Sequence, residues 1–475
     1  MTLDFTLRPF QIEDIARKIN DPFLALFHDA GTGKTPIAAV LSHYYAETFG
    51  DVVVWTCPSG IMLKNKMDLI RFGGFKEEEI IILQGATPLK RKEMMEDKLG
   101  KVYLMSAQGF AAEWEMLNTI KGGRVRSLFH DEMHLYYAGH EAKRTEAWYK
   151  AVKKMRSVTC MTGSWIKGRL DSTYPTLHAL HPLYYGNHKA FMTHHAMYDH
   201  QGRIMGWRDK ERLTQIMGQV GIRRSFREVY GEEKKVILPE PVRMSKNHQK
   251  FYNTMSNKGI LELEDSFLKG ETGGTKAIRL RQILAHPEFF GLDIKGPTAR
   301  DEALEAHIEN AIFSGERLAI FSALVPEMDR VYKTLKAKGL KVGLINGSVS
   351  GPERQQIDQD FNSGKLQFVV ASAATAGVGL NWHFLEDMIF LSMDYEDSSF
   401  MQAYRRGIRG TRETPLRIHV IYYKSSVEED VIEKIEWKSR ETNGVDETAQ
   451  VLEISKKVVV LPDSKSGKLT MGSFM

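Results

Sequence analysis

Short runs of β-branched and apolar residues recur along two stretches of the chain, separated by longer segments with room for helices. In the first stretch the runs fall at 24–27, 52–55, 80–83, 102–105, 128–129 and 158–161. Strand-length apolar runs alternating with helix-length segments predict a parallel sheet covered by helices on both faces. From about 170 to 300 such runs thin out while aromatic residues, His and Met increase, and this segment reads as mainly helical inserted material. From about 300 the alternation returns, with runs at 318–321, 342–345, 368–370, 388–391 and 418–422, which predicts a second parallel sheet. The expected organisation is therefore α/β, with a first sheet domain over 1–172, helical protrusions and a linker over 173–300, a second sheet domain over 301–440 and an extension over 441–475. That extension is polar apart from Val458-Val459-Val460-Leu461.

Composition narrows this picture only slightly. At 475 residues with 42% hydrophobic and 26% charged positions, the chain has the make-up of an ordinary globular protein of several domains. A net charge of +5 permits a polyanionic partner without demanding one. The two cysteines, Cys57 and Cys160, lack metal-site or disulfide-framework spacing. No run approaches the roughly 20 apolar residues of a membrane span, and the start of the chain lacks a basic, apolar leader pattern. A cytosolic location is expected, with the nucleus as the alternative, and no membrane partner.

The chemistry starts where the first run ends. His28-Asp29-Ala30-Gly31-Thr32-Gly33-Lys34-Thr35 joins a strand-like run to a Gly-rich turn and then to the helix-like Ile37-Ala38-Ala39-Val40. We read it as a triphosphate cradle. Glycines let the backbone approach phosphate oxygens, the start of the next helix offers unpaired N–H groups, Lys34 supplies charge, and the Thr35 hydroxyl can hold Mg²⁺. The strict pattern asks for Gly where His28 stands, so a chance Gly-Lys-Thr turn is the competing reading. About a hundred residues on, Asp131 and Glu132 end an apolar run. Asp131 is the candidate partner of Thr35 on Mg²⁺, and Glu132 the candidate for polarising the attacking water. ATP and Mg²⁺ are the expected cofactors.

Here the order of motifs resembles the Swi/Snf-like branch of the superfamily-two helicases and translocases. Leu7-Arg8-Pro9-Phe10-Gln11 is similar to the family's Leu-Arg-x-Tyr-Gln, whose Gln reads adenine. Asp131-Glu132-Met133-His134 matches its Asp-Glu-x-His box, and Met161-Thr162-Gly163-Ser164 resembles its Leu-Thr-Gly-Thr. Asn346-Gly347-Ser348 with Glu353-Arg354-Gln355 is similar to Asp-Gly-Ser and Glu-Arg-Gln; the segment from Ser372 to Asn381 fits Gly-x-Gly-x-Asn. Gln402-Ala403-Tyr404-Arg405-Arg406-Gly407-Ile408-Arg409 fits Gln-Ala-x-x-Arg-x-x-Arg. Between the two sheets, Leu180-His181-Pro182, Phe191, Arg223 to Arg227 with Leu238-Pro239, and Leu280 to Pro287 resemble the branch's protrusions and connection. Trp165, Ile408 and Arg412 depart from the pattern. At the cradle, family members commonly carry Asp where this chain has His28.

The resemblance implies two RecA-like domains in tandem that face each other across ATP. It implies that Gln11, Gly31, Thr32, Gly33, Lys34, Thr35, Gly377 and Gln402 bind nucleotide, and that Arg406 and Arg409 act as arginine fingers alongside Asp131, Glu132 and Lys34. Arg405, Arg412 and Arg417 of the same cluster read as a solvated basic face. By resemblance, Pro58, Ser59, Ser106 and Thr375 touch a nucleic-acid backbone. Six of the 16 histidines lie between His178 and His200, but no Cys or carboxylate completes a ligand set there, so they read as packed or solvated side chains. The expected activity is ATP-driven translocation on duplex or branched DNA by a monomer, remodelling replication or recombination intermediates. An RNA helicase, or a nucleotide-gated DNA-binding subunit of a larger complex, is the alternative.

Overall fold

A computed structural model describes residues 6–85, 87–133, 139–163, 166, 170–262, 267–269, 273–376, 380–408, 412–445, 450–455, 459–462 and 469–472. The chain divides into two units: Met1–Glu232 with Glu441–Ala449, and Glu233–Arg440 with Gln450–Met475.

The first unit is built on a seven-stranded sheet. Its strands are β1 (Ala25–His28), β2 (Val52–Thr56), β3 (Ile80–Ile82), β4 (Val102–Met105), β5 (Val125–Asp131) and β6 (Ser157–Met161); a hairpin of β7 (Ala196–Tyr198) and β8 (Ile204–Trp207) stands apart, and β9 (Gly221–Arg224) returns to the sheet. The order is β3-β4-β2-β5-β6-β1-β9, and every pairing is parallel. All residues of β1, β2, β4 and β6 are buried, as expected of strands covered on both faces. Helix α1 (Pro9–Asn20) precedes β1, and α2 (Lys34–Phe49) follows it.

One buried charge ties α1 to the sheet. Lys18 is fully enclosed and its ammonium donates to the carbonyls of Pro22 and Val158. Burial pulls its pKa down from 10.5 to about 7. With a folded pKa below the unfolded one, the unfolded chain holds the extra proton between these values, so stability rises with pH across about 7 to 10.5. Lys18→Met is expected to flatten that rise, read as urea midpoints at the two ends of the window. A slope unchanged by the substitution would refute the assignment.

The second unit carries a six-stranded sheet of β10 (Lys235–Val242), β13 (Leu318–Phe321), β14 (Val342–Ile345), β15 (Phe368–Ala371), β16 (Asp387–Phe390) and β17 (Leu416–Tyr423), with β11 (Ile260–Glu262) and β12 (Phe267–Lys269) forming a separate hairpin. A last hairpin joins β18 (Val459–Pro462) to β19 (Leu469–Gly472). The sheet order is β10-β17-β16-β13-β15-β14, again wholly parallel. The α/β class with two parallel sheets is thus the observed architecture.

The 173–300 segment does not stand wholly apart from the two sheets. It holds helices, among them Lys210–Val220, Lys246–Lys258 and Gly273–Ala285, but it also gives β9 to the first sheet and β10 to the second. β10 contains Pro239 and Pro241, which lack the N–H that a strand ladder uses. The carbonyls of Lys234 and Val242 accept from β17, so the even-numbered residues turn their backbone groups inward and both prolines fall on the outer side. At a sheet edge that phase removes no ladder hydrogen bond.

Candidate functional site

The cradle is assembled at the carboxyl end of β1. Gly31 and Gly33 have φ of 86° and 92°, a region that favours glycine. At Gly33 a Cβ would also come within 2.5 Å of Gln11 Nε2. Gly33 ends the turn, and α2 starts at Lys34 with no side chain capping its first N–H groups. Those amides open a 16-residue helix, the kind of helix end that attracts anions. The Lys34 ammonium donates to the carbonyls of His28 at 2.7 Å and Asp29 at 3.2 Å, which folds the charge over the loop. Thr32 is buried and its hydroxyl donates to Asp29 O at 2.8 Å; Thr35 is the second residue of α2.

His28, the departure from the strict pattern, lies in β1 rather than in the turn. It is completely buried, with Nε2 3.3 Å from an Asp14 carboxylate oxygen. Burial, reinforced by Lys34, Arg223 and Arg224, holds its pKa well below the ordinary value. Asp14 in turn receives Arg224 at 2.8 Å. The side chain therefore belongs to the packing beneath the loop.

Several distant residues brace the loop, and the motif alone did not reveal them. Gln11 accepts from its own helix's Arg8 N at 2.8 Å and donates to Gly33 O at 3.1 Å. Tyr230 donates to Gly31 O at 3.1 Å, and the Arg8 guanidinium lies 4.6 Å from the centre of the Tyr230 ring. Asp29 accepts from Phe226 N at 2.8 Å and Arg223 at 3.0 Å. Gln11 is singled out by its motif, and Arg8, Arg223 and Phe226 lie inside motif-like segments, whereas Tyr230 carries no sequence signal.

In the sheet, β6 lies between β1 and β5, so the carboxylates at the end of β5 stand two strands from the cradle. Asp131 accepts from Asn65 Nδ2 at 3.1 Å. Burial, with Glu132 adding repulsion, raises its pKa to about 6; Lys34 is close enough for its charge to oppose that rise. Glu132 has a φ of 52°, a left-handed conformation that costs a residue with a Cβ about 1 kcal/mol. Strain of that kind concentrates at functional sites. His130 between the carboxylates and the core is buried, contacts Thr56 Oγ1 at 2.5 Å, and is driven by burial to a pKa of about 3, so it stays neutral. Gly163, at the end of β6, backs the loop: a Cβ there would lie 3.3 Å from Ala30 N.

In the second unit, Gln402 is buried on the helix Asp397–Tyr404. Arg406 is 5% exposed, and its guanidinium donates to Leu380 O at 3.4 Å. Gly377 and Arg409 lie outside the described residues, as do Ser164 and Trp165. The expectation of a solvated face is corrected for Arg405 and Arg412, while the Arg417 side chain is 40% exposed. Arg405 is buried against Glu233 at 2.7 Å. Arg412 is buried and donates to the carbonyls of Gly407, Leu385 and His383 at 2.7, 2.8 and 2.9 Å, and Arg417 pairs with Asp387. A run of charges in sequence does not disclose the carbonyl ends that can satisfy it.

Of the candidate backbone-contact residues, Pro58 and Ser59 sit at a short turn after β2, with Ser59 exposed. Ser106 caps the helix Ala107–Ile120, its Oγ accepting from Gly109 N at 3.0 Å. Thr375 is engaged by Ser372, whose Oγ donates to Thr375 Oγ1 at 2.7 Å. The histidines from His178 to His200 include a buried His195 held by Tyr185 at 2.6 Å; among the described residues they form no metal-ligand group. No described helix is long and apolar enough to cross a membrane.

Residues 300–411 match the helicase conserved C-terminal domain family. An uncharacterized ATP-dependent helicase of Mycoplasma genitalium is 23% identical over 420 residues, covering 86% of this chain and 38% of its own length. The chromatin structure-remodeling complex subunit snf21 of Schizosaccharomyces pombe is 22% identical over 336 residues, covering 63% of this chain and 28% of its own length. The chain thus spans well under half the length of either relative. Its fold is similar to that of the Pyrococcus furiosus Hef helicase domain, with a TM-score of 0.51 at 15% identity, covering 90% of this chain and 97% of that one. The helicase domain match over 300–411 and these relatives make the chain similar to the Swi/Snf-like superfamily-two helicases, and its two parallel sheets have the RecA-like fold of such proteins.

Proposed function

We propose that the chain is a nucleic-acid-dependent ATPase that moves along double-stranded or branched DNA. The observation that carries this reading is the left-handed Gly31–Gly33 turn that presents Lys34 and the open start of α2 beside Asp131 and Glu132. The residues suit ATP and Mg²⁺: a Cβ at Gly33 would obstruct the turn, and Asp131 is a buried carboxylate whose negative charge a cation would favour.

Each group then has a role that its surroundings permit. Lys34 and the first amides of α2 bind phosphate oxygens, Thr35 and Asp131 hold the cation, and Gln11 orients the base while bracing Gly33. Glu132 takes a proton from water. Bound Mg·ATP would supply the phosphoryl group whose hydrolysis drives motion. Gly377, Gln402, Arg406 and Arg409 are the proposed contribution of the second sheet, the two arginines meeting charge that develops during transfer. Pro58, Ser59, Ser106 and Thr375 are proposed to contact phosphates of the track, which positions the protein without reading bases. Remodelling of replication or recombination intermediates, by a monomer, extends the same reading. The relatives' names include a chromatin-remodelling subunit, which favours duplex DNA as the track.

The test is ATP turnover with duplex, forked and single-stranded DNA and with RNA, at matched salt. Stimulation by duplex or forked DNA over RNA is the expected result. A rate indifferent to every nucleic acid would overturn the proposal.

A further inference from the structure

A second group of ligand-type side chains lies at the β10 edge of the second sheet, remote in sequence from the cradle. Glu240 on β10, His419 on β17 and His307 on the helix Ala299–Ser314 each bring one donor atom to within 4.8 Å of the others. Glu240 Oε2 is 2.9 Å from His307 Nε2, and Glu240 Oε1 is 2.5 Å from His419 Nδ1. Two ligands on a tetrahedral ion, each at about 2.1 Å, stand about 3.4 Å apart. The donor atoms, all within 4.8 Å of one another, need shifts of about 1 Å to reach that spacing.

What distinguishes this group from a chance cluster is the layer behind it. The other nitrogen of His419, Nε2, lies 2.8 Å from Asp387 Oδ1 on β16. Asp387 is itself gripped by Arg417 through two hydrogen bonds, at 2.7 and 2.5 Å. A carboxylate on the far nitrogen fixes the tautomer of a metal-binding histidine and raises its basicity. Here that carboxylate is in turn held by a guanidinium, so the ring of His419 is oriented with Nδ1 toward Glu240 and His307. The two imidazoles pack with their centres 4.4 Å apart. Strand pairing adds rigidity, since β10, β17 and β16 are consecutive in the sheet. His419 is nearly buried while the Glu240 side chain is 30% exposed, which leaves an approach from solvent and room for a water as fourth ligand.

We propose that Glu240, His307 and His419 bind a divalent transition metal, Zn²⁺ by the chemistry of a His₂-carboxylate set, with Asp387 and Arg417 as positioning residues. The ion would fasten the helix Ala299–Ser314 to the β10 edge. The other reading of the same geometry is a hydrogen-bonded chain from Asp387 through His419 and Glu240 to His307 that takes up no metal, and the experiment separates the two.

The full chain, stripped with chelator, is titrated with Co²⁺ and its visible spectrum recorded; Zn²⁺ affinity then follows from competition with a chelating dye. The expected result is one ion per chain with the absorption bands of four-coordinate cobalt, displaced by Zn²⁺. His307→Gln, at a partly exposed position, is expected to weaken Zn²⁺ binding by about 10- to 100-fold, and Asp387→Asn by a similar factor through the histidine it orients. Zn²⁺ should raise the thermal midpoint of the parent chain and not that of His307→Gln. Circular dichroism in chelator shows whether each variant is folded, and should a histidine variant fail to fold, Glu240→Gln takes its place. Absence of the cobalt bands, or a Zn²⁺ affinity that is the same in the parent and in folded variants, would overturn the proposal and leave the hydrogen-bonded chain.

Discussion

Lys34→Ala is expected to lower the turnover of ATP by about a hundred- to a thousand-fold, the loss seen when one preorganised charge donor is removed from a site of developing negative charge. The side chain donates to two loop carbonyls, those of His28 and Asp29, which are backbone groups at the edge of the loop and not part of the apolar core. The fold should therefore survive with a thermal midpoint close to the parent's, and the lost activity can be assigned to chemistry and phosphate binding. Steady-state ATPase at saturating duplex DNA, alongside the thermal midpoint, makes the measurement. Turnover retained in full would contradict the role given to the cradle.

The second large effect concerns stability. Arg300 is 1% exposed and lies between two carboxylates, with Nη1 2.8 Å from Glu327 and Nη2 2.5 Å from Glu428. Further donors share those acids: Ser322 and Ser392 donate to Glu327 Oε2 at 2.6 and 2.8 Å, and Tyr423 N donates to Glu428 at 2.9 Å. The guanidinium also stacks 4.8 Å from the centre of the Tyr423 ring. Burial opposes the charge on Arg300, but Glu428 and Glu327 outweigh it and hold its pKa above the ordinary value. Arg300→Ala would leave two carboxylates enclosed without their cation, at a cost of about 3–5 kcal/mol. Urea denaturation of the full chain should show an early transition that the parent lacks. A loss below about 1 kcal/mol would mean that the acids protonate or hydrate freely, contrary to the packing described.

Both effects rest on residues the sequence exposed to different degrees. The strand runs were legible because parallel strands buried on both faces must be apolar throughout, and β1 to β6 and β13 to β17 follow them. β9 escaped notice because Gly221-Ile222-Arg223-Arg224 carries a single strongly apolar residue. β10 escaped because its two prolines signal a break unless the phase of an edge strand is known. The cradle was legible through its glycines, whose positive φ is a local demand. Some of its braces were not: Tyr230 and Asp14 reach it from elsewhere in the chain, as Asn65 reaches Asp131, and nothing in their own neighbourhoods marks them. Arg405 and Arg412 show the same limit from the other side, since a cluster of positive charge looks solvated until its acceptors are placed around it.

The prolines of β10 also bear on how the second unit meets other molecules. Among the described residues β10 ends its sheet, and an edge with free N–H groups would accept a further strand from any passing chain. With Pro239 and Pro241 facing outward, two successive outward donors are missing from that edge. Strand addition at this stretch of the border is therefore disfavoured, which keeps the second sheet from growing by edge-to-edge association.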